Sequence, residues 1–181
     1  MATTLLPFRE YDEHDVINLF AYDGALDRGH VVKILSGWKN TDETQLMGNV
    51  GGSFTNTVSQ RYGVKAKLDL ADASGDKPLG VLLHDVKETD ENGEKLVFNP
   101  RKAAEMEVAL SGQAVPVLTK GIVLYSGTNL AAQTPAVGTK VYYDASGELN
   151  TGVIDSSADA VVGTCLGGKD SNNHVLVKIN L

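Results

Sequence analysis

The sequence contains a single cysteine, Cys165, in 181 residues. One cysteine cannot form an intrachain disulfide, and it excludes metal sites that need several thiolates. Basic residues are also in the minority, because 16 Lys and Arg stand against 23 Asp and Glu and give a formal net charge of −7. An acidic surface repels phosphate backbones, so this balance argues against nucleic acid as a partner.

Long hydrophobic runs and targeting signals are missing as well. No apolar run approaches the roughly 20 residues that a membrane helix needs, so we expect no membrane partner. The N-terminal stretch MATTLLPFREYDEHD lacks the basic and apolar regions of a secretory signal. With 42% hydrophobic and 22% charged residues, the composition is that of a globular protein. We therefore expect a soluble protein that is made in a cytoplasm.

The sequence texture changes near residue 25. Residues 1–24 are irregular, and over 13–20 a short helical turn and an extended arm are equally compatible with the pattern. Beyond them, short apolar runs alternate with Gly, Asn, Asp and Ser, which is typical of an all-β protein. We predict an N-terminal arm at 1–24 and a single β domain at 25–181. The domain would be a small glycine-punctuated β-barrel or a jelly-roll-like sandwich, and the sequence leaves that choice open.

Apolar alternation and continuous apolar runs predict the strands. They are placed at 30–35, 64–70, 79–86, 96–98, 106–110, 114–119, 121–125, 139–143, 161–166 and 174–181. Asn92-Gly93 predicts a hairpin with a type I′ turn, in which both central residues have positive φ. Asn99-Pro100 predicts the N-cap and first position of one short helix, and we expect at most this one. Residues 144–147 and 169–173 are predicted tight turns.

Several patterns resemble catalytic or metal sites, and each fails a physical test. Residues 163–169 have the Gly and Lys spacing of a phosphate-binding loop, but Asp170 replaces the Ser or Thr and no helix follows, so a hairpin turn is predicted. Residues 88–93 resemble the start of a calcium loop, but Asn99 stands where the bidentate Glu belongs, which favours a hairpin tip. The four histidines, which make no metal-ligand spacing, are His14, His30, His84 and His174.

The sequence also contains no motif for nucleophilic catalysis. Cys165 lies in the apolar run VVGTCL, which predicts a buried, unreactive thiol. No G-x-S-x-G nucleophile elbow is present. We predict no catalytic residue, no metal, no cofactor and no enzymatic activity. A hydrolase whose residues assemble only in space is the remaining enzymatic hypothesis.

Aromatic and large apolar residues outside the regular β pattern suggest a surface for partners. Such side chains bury a large area at modest entropic cost. Their presence is equally compatible with covering the open ends of a barrel. The candidates for partner binding are Leu5, Leu6, Phe8, Tyr11, Phe20 and Tyr22 in the arm, and Trp38 and Met47 in the glycine-rich region 37–63.

Several stretches of the β domain resemble the capsid decoration (cement) proteins of tailed bacteriophages. They are GALDRGHVVKIL (24–35), the long segment 80–127 from GVLLHDV to VLYSG, GTKVYYDASGELN (138–150), VVGTCL (161–166) and the terminal VLVKINL (175–181). The resemblance spans about residues 25–181 and is carried by β patterning and Gly positions, without catalytic residues.

This resemblance implies a non-enzymatic virion protein, assembled in the host cytoplasm and bound to the outer capsid surface. Its partners would be the major capsid protein and further copies of itself, with a homotrimer favoured over a dimer. The arm and the loop that contains Trp38 would then carry the capsid contacts. A second hypothesis is a β-sandwich carbohydrate-binding or adhesion module, whose stacking platform would use Trp38, Tyr62, Tyr142 or Tyr143.

Overall fold

The computed structural model describes residues 4–7, 15–35, 67–152 and 160–181. Strands dominate these ranges, and three short helical segments accompany them. The strands are β1 (Thr4–Pro7), β2 (Val16–Ile17), β3 (Ala21–Tyr22), β4 (Val31–Leu35), β5 (Lys67–Leu70), β6 (Pro78–Leu82), β7 (Asp85–Lys87), β8 (Val108–Leu110), β9 (Val117–Leu118), β10 (Lys120–Ser126), β11 (Lys140–Tyr143), β12 (Leu149–Asn150), β13 (Gly163–Cys165) and β14 (Val175–Asn180). The helical segments are a 3-10 turn (Leu96–Phe98), α1 (Pro100–Glu105) and α2 (Thr128–Gln133). The predicted all-β class is confirmed.

The strands form two six-stranded sheets and one smaller pair. Sheet one has the order β1-β10-β14-β13-β11-β12, and every neighbouring pair in it is antiparallel. Sheet two has the order β2-β9-β6-β4-β5-β3, with β3 parallel to β5 and the other pairs antiparallel. The third sheet is the parallel pair β7-β8. The connection between β7 and β8 carries the 3-10 turn and α1.

Sheet two is buried on both of its faces, which makes it the middle layer of the described structure. Successive residues of one strand belong to different cores. The residues that pack with sheet one are Val31, Val81 and Leu118. Their neighbours along the same strands, which pack in a second cluster, are Val32, Leu82 and Val117. The second cluster also contains Val86 of β7, with Ala109 of β8 packed against it. Because neighbouring strand residues point to opposite faces, a strand between two layers needs a continuous apolar run. The coverage on both faces that was predicted for the run at 79–86 is present in β6, but the prediction of one strand there is wrong, because the run divides into β6 and β7 of different sheets.

The described parts of residues 1–24 pair with strands of both large sheets. β1 lies antiparallel to β10, with Leu5 opposite Tyr125. Leu5 is 1% exposed and belongs to the core that the two sheets share. Farther along, β2 pairs with β9, and β3 pairs with β5. The region therefore forms extended structure rather than a helical turn at 16–17, while the division into an arm and a domain stays a prediction.

Three tight turns, at 90–94, 144–148 and 170–174, share one hydrogen-bonding design. In each turn the carboxylate of the first residue, an Asp, accepts hydrogen bonds of 2.7–3.1 Å from the backbone N–H groups of the third and fifth residues. The fourth residue, which is Gly93, Gly147 or Asn173, has a positive φ. The turns predicted at 144–147 and 169–173 are confirmed. At Asn92-Gly93 a turn is present, but positive φ occurs at Gly93 and not at Asn92, so the predicted type I′ geometry is wrong.

Two further local predictions differ from the structure. Residues 96–98 form a 3-10 turn instead of a strand, because they lead directly into α1, whose predicted N-cap is confirmed by a 3.3 Å bond from the Lys102 N–H to the Asn99 side chain. The second six-residue helix, α2, was not expected. It begins after Gly127, which has no side chain to cap it, so the sequence offers no start signal there.

Candidate partner-binding surface

The histidines of the described ranges are engaged in local contacts. His30 Nδ1 lies 2.8 Å from the carbonyl oxygen of Asp27, and His84 Nδ1 lies 2.8 Å from that of Glu107. His174 Nδ1 is 3.5 Å from the Asp170 carboxylate. His14 lies outside the described residues. Within those residues, no group of three or more His, Cys, Asp or Glu side chains is gathered closely enough to hold a metal ion.

Cys165 lies at the end of β13 and is 0% exposed. Burial raises the pKa of the Cys165 thiol, which lowers the fraction of reactive thiolate at neutral pH. The predicted buried thiol is confirmed. The segment 163–169 is also confirmed as part of a hairpin, since β13 pairs with β14 through the turn at 170–174.

The acidic stretch 88–93 is a turn whose central carboxylate already has a cation. Asp90 is 7% exposed and accepts a hydrogen bond from Lys102 Nζ of α1. The Lys102 ammonium group holds the pKa of Asp90 below its usual value, and the turn N–H groups act in the same direction. Asp90 therefore ties the turn to α1, which is the role of an internal ion pair and not that of a cation ligand.

The structure places four of the eight predicted partner-binding residues. Leu5 lies in the core between the sheets, and Leu6 follows it in β1. Phe20 and Tyr22 are partly buried and pack against the second core cluster. Burial of Tyr22, together with the nearby carboxylates of Asp69 and Asp72, raises the pKa of its hydroxyl. The other four residues, Phe8, Tyr11, Trp38 and Met47, lie outside the described residues, so the set as a whole stays a prediction.

Large apolar side chains that sequence reasoning missed lie on the surface. The most exposed within the described ranges is Phe98, at 83%, and Val97 beside it is 48% exposed. The apolar run at 96–98 predicted a strand and did not single out Phe98 as a surface residue. The signal that could have identified Phe98 is the helix start at Asn99-Pro100, because a chain entering a helix there cannot continue a strand. Elsewhere in the part of the chain that the structure describes, the exposed large apolar residues are Ile34, Leu35, Val137, Val161, Leu166 and Leu181.

Tyr143 cannot be part of the predicted sugar-stacking platform. This side chain is 0% exposed, and its hydroxyl lies within hydrogen-bonding distance of the backbone carbonyls of Ala73 and Asp76. A ring in that position cannot stack on a sugar, so its predicted role is wrong. Tyr142 is partly buried. Trp38 and Tyr62 lie outside the described residues.

Comparison with known proteins points to one family. In the part of the chain that the structure describes, no helix has the length and apolar character needed to cross a membrane. Neither the curated proteins nor the solved structures contain a match to the chain. A family model described as "Structural cement protein (E217 gp24/Pam3 gp6)" matches residues 20–181. That range contains both large sheets apart from β1 and β2, together with the β7-β8 layer. The chain belongs to this family of phage structural cement proteins.

Proposed function

We propose that this cement protein binds the major capsid protein and stabilises the contacts between neighbouring capsid subunits. As a member of the structural cement family, it is a structural protein of the phage virion and lies at the outer capsid surface. The family match over residues 20–181 is the observation that carries the proposal. We further propose that the protein acts without catalysis and without a cofactor.

Binding would strengthen the shell through linkage. A protein that binds the assembled, expanded shell but not its separated subunits favours the assembled state, and the gain rises with occupancy. Many copies on a repeating lattice multiply a modest contribution from each contact. A net charge of −7 also disfavours binding of free copies to the packaged genome.

The contact residues are proposed in two groups. Phe8, Tyr11, Trp38 and Met47 are proposed to touch the capsid directly. Leu5, Leu6, Phe20 and Tyr22 are proposed to hold the segments next to them in position, since Leu5 is buried in the core and the two aromatic rings pack against sheet two. We also propose that the protein assembles with itself on the head, as a trimer rather than a dimer.

Binding to purified heads tests the proposal. Expanded heads of the same phage that lack this protein would be mixed with increasing amounts of the full chain and sedimented. We expect saturable co-sedimentation and a higher temperature of head disruption in the saturated sample. Unexpanded heads serve as the control and should bind less. If the expanded heads bind no more protein than the control at any concentration, the proposed function is wrong.

Point substitutions are better suited than truncation for locating the contacts. Removal of residues 1–24 would delete β1, β2 and β3 and would take Leu5 out of the shared core. Loss of a fully buried Leu costs several kcal/mol, so a failure of the truncated chain to bind would not separate unfolding from lost contacts. Trp38→Ala and Tyr11→Ala, each measured in the full chain, address the contacts themselves.

A further inference from the structure

The turn at 90–94 contains the one Asn-Gly pair of the sequence, Asn92-Gly93. Both residues are exposed. The backbone nitrogen that follows an Asn can attack the carbonyl carbon of its side chain, and this approach is easiest when the next residue has no Cβ. Beyond its chain neighbours, a Cβ built on Gly93 would meet no atom of the described residues within 4 Å. The turn therefore presents a reactive pair that no other segment of the described structure covers.

A second turn of the same protein supplies an internal comparison. Asn172 occupies the third position of the turn at 170–174, as Asn92 does in its own turn. In both turns, the N–H of this Asn donates over 2.8 Å to the carboxylate of the first residue, an Asp. The N–H of the fourth residue donates to the carbonyl of that Asp, over 3.1 Å at Gly93 and 3.2 Å at Asn173. Both fourth residues have a positive φ. The two Asn side chains therefore share one backbone setting, and the residue that follows them differs.

The reaction requires only a local opening of the turn. The hydrogen bond from the Gly93 N–H to the Asp90 carbonyl must break before the nitrogen can attack Asn92. Gly93 is exposed, so water replaces the lost partner and the net cost of opening is small. The start of the turn stays anchored meanwhile, because the Asp90 carboxylate also accepts a hydrogen bond from Lys102 Nζ of α1. The pair can therefore react without unfolding of the protein.

We propose that Asn92 is a modification site, which deamidates spontaneously in the folded protein to aspartate and isoaspartate. The Gly93 nitrogen loses its proton and bonds to the side-chain carbonyl carbon of Asn92, and a succinimide ring closes as the side-chain nitrogen leaves as ammonia. Water then adds to one of the two ring carbonyls and opens the ring. One opening gives an aspartate, and the other gives an isoaspartate, in which the main chain runs through the former side chain. Overall, one water is consumed and one ammonia is released.

The product changes the turn in two ways. Replacing the amide by a carboxylate adds one negative charge beside the exposed Glu91 and Glu94. In isoaspartate the main chain is also longer by one methylene, so the N–H groups of Gly93 and Glu94 cannot both keep their bonds to Asp90. The link that Asp90 forms between this turn and Lys102 of α1 is then weakened. A virion protein is not replaced after assembly, so the product would accumulate with the age of the particle.

Storage of the full chain in mildly alkaline buffer at physiological temperature tests the proposal. Peptide mapping by mass spectrometry follows deamidation at each Asn, and an isoaspartyl methyltransferase assay detects isoaspartate. We expect Asn92 to react at least about tenfold faster than Asn172, because only Asn92 is followed by a residue without a side chain. Gly93→Asn copies the second turn into the first, and Asn tolerates the positive φ, so this variant should slow the reaction at residue 92 by at least about tenfold. The reciprocal Asn173→Gly should make Asn172 react.

The wild-type protein alone can overturn the proposal. If Asn92 stays intact in the native protein but deamidates in a sample unfolded in guanidinium chloride, the turn protects the pair and the proposal is wrong. Equal rates at Asn92 and Asn172 would also contradict it, since the following Gly would then have no effect. Aged wild-type protein should have a lower urea unfolding midpoint than fresh protein, and aged Gly93→Asn should not. An unchanged midpoint in a sample that contains isoaspartate would contradict the weakened link to α1.

Discussion

The hydroxyl of Tyr143 lies 3.0 Å from the carbonyl oxygen of Ala73 and 3.1 Å from that of Asp76. Tyr143 ends β11 of sheet one, whereas Ala73 and Asp76 lie in the connection between β5 and β6 of sheet two. The hydroxyl therefore links the two large sheets at a point where its ring is fully buried. Buried tyrosines need such a partner, because an unsatisfied hydroxyl away from water is costly.

Tyr143→Phe should destabilise the fold by about 1 kcal/mol, because it removes the hydroxyl and keeps the packed ring. The measurement is urea unfolding followed by intrinsic fluorescence and far-UV circular dichroism. Tyr142→Phe is the control, since Tyr142 is the partly buried neighbour on the opposite face of β11. Equal midpoints for wild type and Tyr143→Phe would show that this link contributes nothing to stability.

Gly163→Ala should be strongly destabilising, because β13 runs too close to β14 for a side chain. A Cβ at Gly163 would lie 2.3 Å from the Lys178 carbonyl oxygen and 3.1 Å from the carbonyl carbon, and both are backbone atoms. The strands would have to separate, at a cost of about 1–3 kcal/mol or more. Gly152→Ala is the control, since its Cβ would meet only the Asn150 side chain, at 3.4 Å. In a thermal melt, the Tm of Gly163→Ala should lie below that of the wild type, and the Tm of Gly152→Ala should equal it. Equal Tm values for the two variants would refute the close approach of β13 and β14.

Acid should destabilise the protein through the aspartate turns. Burial works to raise the pKa of Asp144, but hydrogen bonds from Ser146, Asn129 and Glu148 outweigh it and hold the pKa below the usual value. The unfolded chain therefore binds more protons than the folded one as the pH falls below about 4–5, and the contribution of this carboxylate to stability is lost as the pH approaches the lowered pKa.

Asp144→Asn tests this dependence. The variant should be less stable than wild type at pH 7, by about 1 kcal/mol, because a charged acceptor is replaced by a neutral one. The difference should shrink as the pH falls below the usual aspartate pKa of about 4, because the wild-type carboxylate then takes up a proton when the chain unfolds. Urea midpoints at pH 7 and near pH 3 give the comparison, with the exposed Asp27→Asn as the control. A difference of equal size at both pH values would rule out the Asp144 carboxylate as its source.

Cys165 should resist thiol reagents in the folded protein. Its side chain is 0% exposed and burial raises its pKa, so neither access nor thiolate supports the reaction. Mass spectrometry after iodoacetamide treatment should find an unmodified native chain and one modified site after unfolding in urea. Rapid labelling of the native protein at a rate equal to that of the unfolded chain would contradict the burial of β13.

Local signals predicted the elements that depend on nearby residues. The turns at 144–147 and 169–173 and the start of α1 were found because Asp, Gly, Asn and Pro act within a few residues of their own position. The strand at 96–98 was wrong for the opposite reason. Its apolar run satisfies a strand pattern, but the N–H groups of Phe98 and Asn99 bond to carbonyls three residues back, as in a 3-10 turn, and the chain enters a helix at Pro100.

The candidate surface was predictable only in part. Aromatic and large apolar residues outside the β pattern of the first 24 positions drew attention to Leu5, Phe20 and Tyr22. Leu5 lies in the core between the two large sheets, whereas both rings pack against the second cluster. Phe98 carries the same apolar signal as Leu96, two positions before it. Their opposite exposures depend on which side of the turn faces the rest of the protein. That orientation is decided by packing between segments that are distant in the sequence.

Composition, periodicity and turn chemistry by themselves determined the all-β class, the position of the first helix, the buried thiol and the acidic charge of this protein. Each of these follows from single residues or from contacts a few positions apart. Tertiary structure alone decided that Val31 and Val32 serve different cores, that β7 and β8 pair in parallel, and that Phe98 faces solvent. Such choices depend on free-energy differences between alternative partners far along the chain, and a local pattern carries no information about which partner is closest in the folded molecule.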